Sequence, residues 1–511
     1  MQTDQSDLKL SAKTPSIPKA RFVTPRTTFL KLNHFDRRVV FILVLLLGLT
    51  GFVIVLGDRV GVTLQRVAPL GVARSTSSVI MQFSESMNRV TVPPSIKVVQ
   101  VSPDKLDASI TDSDVLATVD GTVSWSGTTL NFRPSKPLIP GAAYQVQLKP
   151  GAVSDSGRKV LSEYHYSFTV RTPRVAYLAP SDSTPMNLWV ADPLVPNSAH
   201  QVTDSPSGIY DYGVSPDGSK IAFTEKNTST GTMDIKVLDV DTGGVEQLTN
   251  CADAECKTPV WRPDGQLIAY ERIDLNSAMA DQVGASPTRI WIIDLSSKPA
   301  TTRPLFDDSQ ILGYGVRWSS DGTRISMYDY RSQGILVHDF RDGTTEVVPS
   351  KYGNSGELSP DGSKLIYPEV TMANNEATSY MQIVDLVSKN IQRLTTPDDP
   401  IDDQDAVWSP DGKFLIVGRR YLDERTTRGR QIYEVDPTNS KAEPLVVDPD
   451  YQNGFFALDP TGTQIVIQRF PDPVALNDPN NRGLPQIWTY DIQTKALVKV
   501  VDNAYFPRWV P

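Results

Sequence analysis

Two cysteines are the residues whose chemistry depends most directly on spacing. Cys251 and Cys256 lie five positions apart, while the histidines are scattered along the chain at His34, His165, His200 and His338. A structural zinc site needs four Cys or His ligands that converge, so this distribution disfavours one. The pair predicts a local disulfide in an oxidising compartment, and two buried free thiols are the alternative.

Carboxylates that could bind a cation are concentrated in one segment, at Asp398, Asp399, Asp402, Asp403 and Asp405. Asp402, Asp403 and Asp405 are the candidate metal ligands, because hard cations prefer oxygen donors. A basic segment follows, with arginines at Arg419, Arg420, Arg425, Arg428 and Arg430. The two segments predict an acidic and a basic loop on one face of the molecule. Solvated loop charge is the alternative to a cation or a basic partner.

Aspartate also recurs in a turn motif, and this repetition indicates structure. Six motifs such as Trp-Ser-Pro-Asp-Gly end at glycines 40 to 57 residues apart, namely Gly218, Gly265, Gly322, Gly362, Gly412 and Gly462. Proline presets φ, aspartate caps the turn and glycine adopts the left-handed conformation. Each turn is followed by an apolar run, and then by a second run that usually ends in aspartate, as at Asp239, Asp294 and Asp385. Four short strands in this period are typical of one β-propeller blade.

The two ends of the repeat region predict how the propeller closes. Segments 174–178, 187–192 and 201–203 read as three strands of a blade that lacks its first strand. Phe506 to Val510 reads as that missing strand. Joining them gives seven blades and hides two sheet edges, and it predicts that Phe506 and Trp509 become buried.

Residues 174–511 resemble the TolB-type propeller, whose blades carry these Trp-Ser-Pro-Asp-Gly turns. Similar blades occur in prolyl-oligopeptidase enzymes, which need an α/β-hydrolase domain that we do not find in this sequence. The sequence also has no Gly-x-Ser-x-Gly elbow, His-Glu-x-x-His motif, P-loop or Rossmann glycine pattern. We therefore expect no cofactor, and a protein that is not an enzyme.

Residues 66–173 show a different β pattern. Short alternating runs such as Val79–Phe83 and Tyr144–Leu148 are separated by Gly and Pro turns, which predicts a β-sandwich. The segment resembles the SbsA-type bacterial Ig-like domain in Phe83–Met87, Gly121–Pro134 and Leu138–Leu148. The resemblance implies a spacer or an interaction module.

The N-terminal region predicts a membrane anchor. Val39 to Gly57 contains no charged residue, and it is close to the ~20 residues that span a bilayer as a helix. Residues 1–38 carry eight Lys or Arg and three Asp, which predicts a disordered tail on the cytoplasmic side. A cleaved signal peptide and a buried core helix are the alternatives, but the first has a shorter apolar run.

The predicted fold is therefore all-β, with an Ig-like sandwich, a seven-bladed propeller and one N-terminal transmembrane helix. The chain has a net charge of −9 although its N-terminus is basic, which argues against nucleic acid as a partner. We expect a cell-membrane protein with extracytoplasmic domains that binds an envelope or cell-surface protein or glycan. The alternative is a glycan lyase or hydrolase that uses the propeller's central channel.

Overall fold

A computed structural model describes residues 33–57, 61–106, 110–279, 282–373, 376–427, 429–472 and 483–511. Most of the predicted cytoplasmic tail, 1–38, lies outside these ranges, as does Arg428. The chain divides into two units, Met1–Gly61 and Val62–Pro511.

The first unit contains helix α1, His34–Gly57. Within the described ranges, we find no helix with both the length and the apolar composition required to cross a membrane. The transmembrane helix predicted for Val39 to Gly57 is therefore not supported.

The second unit begins with a β-sandwich of nine strands, in agreement with the predicted Ig-like fold. One sheet has the order β1-β3-β7-β6 and the other β2-β9-β8-β4-β5. Val79, Met81 and Phe83 alternate inward along β3, as the period-two pattern requires. The strands are β1 (Leu64–Ala68), β2 (Gly71–Ala73), β3 (Val79–Phe83), β4 (Ile96–Val101), β5 (Val115–Thr118), β6 (Gly121–Ser126), β7 (Thr129–Pro134), β8 (Ala143–Leu148) and β9 (Tyr164–Val170), with 3-10 turns at Pro93–Ser95, Pro103–Lys105 and Asp112–Asp114.

Five four-stranded antiparallel sheets and one eight-stranded sheet follow, and the latter consists of two four-stranded blades joined by a single parallel bridge between Met233 and Glu255. The predicted seven-bladed propeller is therefore confirmed. Blade 7 combines the first three strands of this region with the last strand of the chain: β10 (Arg174–Ala179), β11 (Asn187–Ala191), β12 (His200–Gln201) and β39 (Tyr505–Val510). Blade 1 contains β13 (Ile209–Val214), β14 (Lys220–Lys226), β15 (Met233–Asp239) and β16 (Val245–Gln247). Blade 2 contains β17 (Ala254–Trp261), β18 (Leu267–Asp274), β21 (Arg289–Asp294) and β22 (Thr301–Pro304), with a hairpin of β19 (Ser277–Met279) and β20 (Gln282–Gly284) between its second and third strands.

The remaining four blades repeat the same order. Blade 3 contains β23 (Gly313–Trp318), β24 (Arg324–Asp329), β25 (Gly334–Asp339) and β26 (Thr345–Pro349). Blade 4 contains β27 (Glu357–Leu358), β28 (Lys364–Ala373), β29 (Glu376–Asp385) and β30 (Ile391–Arg393). Blades 5 and 6 contain β31 (Ile401–Trp408), β32 (Leu415–Tyr421), β33 (Gln431–Val435), β34 (Ala442–Val446), β35 (Tyr451–Leu458), β36 (Gln464–Pro471), β37 (Gln486–Asp491) and β38 (Leu497–Asp502).

The repeated aspartates hold turns, as the repetition indicated. In the first hairpin turn, Asp217 accepts hydrogen bonds from the Ser215 hydroxyl at 2.7 Å and the Ser219 backbone N–H at 3.0 Å. Gly218 has φ +67°, which only glycine adopts readily. Asp239 caps the next turn by accepting from the Thr242 N–H at 2.9 Å.

Strand β39 closes the ring by pairing with β10, as predicted. Arg174 lies opposite Val510, and Val175 lies opposite Trp509. Trp509 is buried, but the predicted burial of Phe506 is wrong, since this residue is 39% exposed. A bulge in β39 gives Phe506 a left-handed backbone conformation and places its ring against Phe455 instead.

Candidate functional site

The inner strands β13, β17, β23, β27, β31, β35 and β39 surround a central channel, and bulges interrupt their pairing. Register shifts coincide with left-handed backbone at Thr258, Gly315, Asp405, Phe455 and Phe506. A residue other than glycine in this conformation costs about 1–3 kcal/mol, and bulges commonly redirect side chains next to binding sites. The bulges therefore mark the channel wall as the candidate site.

The channel contains a cavity of about 1070 Å³. The residue five positions before each turn glycine lines this cavity, in all six turns: Gly213, Val260, Arg317, Glu357, Val407 and Ala457. Arg508 takes the corresponding place on β39. One fixed position per blade thus contributes a side chain or backbone to the channel wall.

Three carboxylates in the cavity wall have perturbed acidity. Desolvation by the channel wall raises the pKa of Asp211, Glu357 and Asp405. Hydrogen bonds from Thr224 and Thr258 oppose this rise at Asp211, and neighbouring arginines oppose it at Glu357 and Asp405. Glu357 Oε2 lies 3.5 Å from Arg317 Nε, and Asp211 Oδ2 accepts the Thr258 backbone N–H at 2.9 Å. These carboxylates therefore each have a partner or a nearby cation.

Arg508 is the arginine that strand β39 contributes to the cavity wall. Among the described residues, no carboxylate lies within 4.0 Å of its guanidinium. The guanidinium carbon instead lies 5.7 Å from the centre of the Phe455 ring and 5.8 Å from that of Tyr212. Arg508 keeps contact with solvent, and partial desolvation by the channel wall lowers the pKa of its guanidinium. An anionic group that reached this position would gain a charge-assisted hydrogen bond.

The Ig-like domain lies over the mouth of the channel at which the hairpin turns cluster. Thr76 and Arg133 of this domain line the same cavity as the inner strands. A second cavity of about 490 Å³ lies between Thr76, Pro137 and the turn prolines of several blades. Arg74 bonds to Asp241 at 2.6 Å, and Arg171 donates to the Pro511 carbonyl at 2.6 Å. The Ig-like domain therefore covers that mouth of the channel.

The acidic segment predicted as a surface loop is part of a strand. Asp402, Asp403 and Asp405 lie in β31, and the first two are buried. Arg419 bonds to both oxygens of Asp403, at 2.7 and 2.8 Å. Arg430 donates to Asp402 at 2.6 Å. Asp402 and Asp403 of the predicted acidic loop and Arg419, Arg420 and Arg430 of the predicted basic loop therefore form one ion-pair network.

This network engages two of the three metal candidates, Asp402 and Asp403. Ser379 donates to Asp402 at 2.8 Å, and Asp405 alone of the three lines the channel. No group of three or more His, Cys, Asp or Glu residues within the described ranges is arranged to hold a metal ion.

Cys251 and Cys256 form a disulfide in the structure, with their Cα atoms 6.3 Å apart. Both are buried, and Cys256 lies in β17 instead of a loop. The Cys251 backbone N–H donates to Asp234 at 2.7 Å, which anchors the start of the closed segment.

Several channel residues were not singled out from the sequence. Among them are Asp211, Glu357, Phe455 and Arg508. The turn motif contains the signal that would have found Glu357, namely its distance from the turn glycine. Phe455 and Phe506 had no such signal, because their orientation depends on the bulges.

Comparison with known families identifies one domain. Residues 58–170 match the bacterial Ig-like domain, so the predicted resemblance to such domains is confirmed. No curated protein matches the chain.

Solved structures with a similar fold include TolB proteins and enzymes. TolB from Acinetobacter baumannii is 15% identical, with 88% of this chain and 99% of TolB covered and a TM-score of 0.38. An oligogalacturonate lyase from Vibrio parahaemolyticus is 16% identical, with 64% and 85% covered and a TM-score of 0.44. A prolyl endopeptidase is 13% identical, with 66% and 50% covered and a TM-score of 0.46.

These similarities correct one expectation. The prediction that the chain is not an enzyme is wrong as a deduction from its fold, because similar propellers occur in a lyase and a peptidase. They also transfer no activity to this chain, since function resides in the site and not in the fold. An Ig-like domain joined to a propeller fits a binding or scaffolding role.

Proposed function

We propose that this chain is a binding protein whose propeller is the binding platform and whose Ig-like domain is a supporting module. The ligand is an envelope or cell-surface component, and it binds in the central channel. The observation that carries the proposal is the cavity of about 1070 Å³, whose wall contains the Arg508 guanidinium beside the Phe455 ring. Cavities of this size with a few placed polar groups are typical ligand sites.

A channel-filling substitution tests this proposal. Ala457 lines the cavity, so Ala457→Trp fills it, whereas Val498→Trp adds the same bulk on the exposed outer strand β38. The full chain and both variants, matched for melting temperature, are used to recover components from envelope extracts. We expect one component to be recovered with the wild type and V498W but lost with A457W. Equal recovery with all three would place the binding surface outside the channel.

A second candidate function is a glycan-acting lyase or hydrolase that uses the channel. Carboxylates of raised pKa beside arginines favour it, because acid–base catalysis needs carboxyl groups that are protonated near the working pH. Envelope polysaccharides incubated with the chain would then be shortened, and Glu357→Gln would abolish the new chain ends. Polysaccharide of unchanged length would argue against this candidate.

The location of the protein in the cell stays a prediction from the charges of residues 1–38. It places the C-terminal domains outside the cell. Protease added to intact cells would then remove the propeller. Survival of the propeller until lysis would reverse the predicted orientation.

A further inference from the structure

Two phenylalanines form an apolar surface in the channel region. Phe455 and Phe506 are each 39% exposed, and their ring centroids lie 5.3 Å apart at an angle of 75°. Left-handed φ values of 47° and 53° hold both side chains in this position. Large apolar residues in this conformation are uncommon, so the backbone of two separate blades is distorted to present the pair.

A cation lies beside this apolar surface. Arg508 follows Phe506 by two residues on the same strand, and its guanidinium carbon is 5.7 Å from the Phe455 ring centre. Arg508 also borders the second cavity, next to the Ig-like domain, whereas Phe506 lines neither cavity. Phe455 lines the first cavity together with Arg508, so the apolar pair and the cation border the same space.

The covered mouth restricts what can occupy the channel. Because the Ig-like domain lies over the turn side, a chain that passes through the channel would meet Thr76 and Pro137. The end of a partner polypeptide can bind in the channel without passing through the covered mouth. A terminal carboxylate can pair with Arg508. The nearby carboxylates have other partners, because Glu357 lies near Arg317 and Asp211 accepts the Thr258 N–H.

We propose that the channel captures the C-terminal end of a partner polypeptide, with an apolar side chain against Phe455 and Phe506 and the terminal carboxylate at Arg508. This inference rests on the proposed binding function. Phenyl rings have no hydrogen-bonding group, so this surface suits an apolar side chain better than a sugar ring that carries hydroxyl groups. Capture of a terminal carboxylate is a known mode of peptide recognition.

The test uses the full chain and a fluorescein-labelled hexapeptide, Gly-Ser-Gly-Ser-Phe-Leu, with a free C-terminus or a C-terminal amide. Fluorescence polarisation gives the dissociation constants. We expect the free acid to bind at least tenfold more tightly than the amide. Phe455→Ala weakens both peptides, and Arg303→Gln, an exposed arginine on outer strand β22, changes neither. Equal affinity for acid and amide would overturn the inference.

A substitution of Arg508 separates recognition from structural damage. In Arg508→Gln the free acid loses affinity until it matches the amide, whereas damage to the fold would weaken both peptides and preserve their ratio. If A457W blocks recovery of an envelope component but neither peptide binds the wild type, the proposed function stands and this inference fails. Binding of a labelled anionic oligosaccharide without binding of either peptide would overturn the inference and indicate a glycan ligand instead.

Discussion

At the scale of single residues, buried arginines support the channel wall. Arg419 and Arg469 lie on the second strands of blades 5 and 6, and both are almost completely buried. Arg469 donates to Asp448 at 2.7 Å and to Asn453 at 3.0 Å, and it stacks 3.9 Å from the centre of the Tyr451 ring. Such side chains fix the neighbouring inner strand by hydrogen bonds that apolar residues could not make.

Removing one partner of the most buried ion pair should strongly destabilise the protein. Arg419→Met leaves Asp403 charged and without its arginine, which costs about 3–5 kcal/mol of unfolding free energy. Arg425→Met is the matched control, because the Arg425–Asp423 pair is more exposed and should contribute only about 0–1 kcal/mol. Guanidinium denaturation measures both. Similar losses for the two variants would contradict the importance of burial.

The channel carboxylates predict a pH-dependent effect of a single substitution. Burial raises the pKa of Asp211, so its ionised form destabilises the folded state above that pKa. Asp211→Asn keeps an acceptor for the Thr258 N–H and removes this charge. We therefore expect D211N to be more stable than the wild type at pH 7, by about 1.4 kcal/mol of unfolding free energy for each pH unit by which the pKa of Asp211 is raised. Near pH 3 the two proteins should be equally stable.

Asp217 provides a control of opposite sign. Burial also acts on this turn aspartate, but hydrogen bonds from Ser219 and Ser215 outweigh it and lower the pKa of Asp217. Its ionised form thus stabilises the folded state, and the contribution is lost as pH falls through the lowered pKa. Asp217→Asn should melt below the wild type at pH 7, with the difference shrinking in acid. A D211N effect that does not vary with pH would contradict the argument.

At the scale of strands, the sequence predicts the blades better than it predicts the channel surface. The hairpin turns have local chemistry, so six turns and one closing strand predict the correct number of blades. The bulge at Asp405 has no local signal, because its left-handed backbone depends on pairing with β32. Asp402 and Asp403 look like loop residues since the arginines that neutralise them come from β32 and from the segment just before β33.

The closing strand gives a direct test of the propeller. Trp509 packs in a cluster with blade 6, and Val510 packs in a cluster with blade 1, so β39 joins the two ends of the ring. Deleting residues 505–511 should cause aggregation or a large fall in melting temperature. Trp509→Ala should cost about 3–5 kcal/mol. Phe506→Ala, at a more exposed position of the same strand, should cost much less. A deletion variant that melts like the full chain would mean six independent blades.

At the scale of the whole second unit, the two domains touch through polar contacts while their cores stay separate. The main sandwich core contains only residues from Val62 to Val170, and the propeller clusters contain only residues from Val175 onward. The contacts between the domains include Arg74 with Asp241 and Arg171 with the Pro511 carbonyl. Cooperative unfolding requires a shared core or a large apolar interface, so these contacts should not couple the domains fully.

Calorimetry of the full chain should therefore show two unfolding transitions, with a summed calorimetric enthalpy larger than either van't Hoff enthalpy. Leu130→Ala in the sandwich and Ile416→Ala in blade 5 both remove fully buried side chains, at a cost of about 2–5 kcal/mol each. Each should lower one transition and leave the other within about 1 °C, because distant and independent sites behave additively. If either substitution lowers both transitions equally, the Ig-like domain is coupled to the propeller as one folding unit. The covered mouth of the channel would then be a fixed feature of the fold.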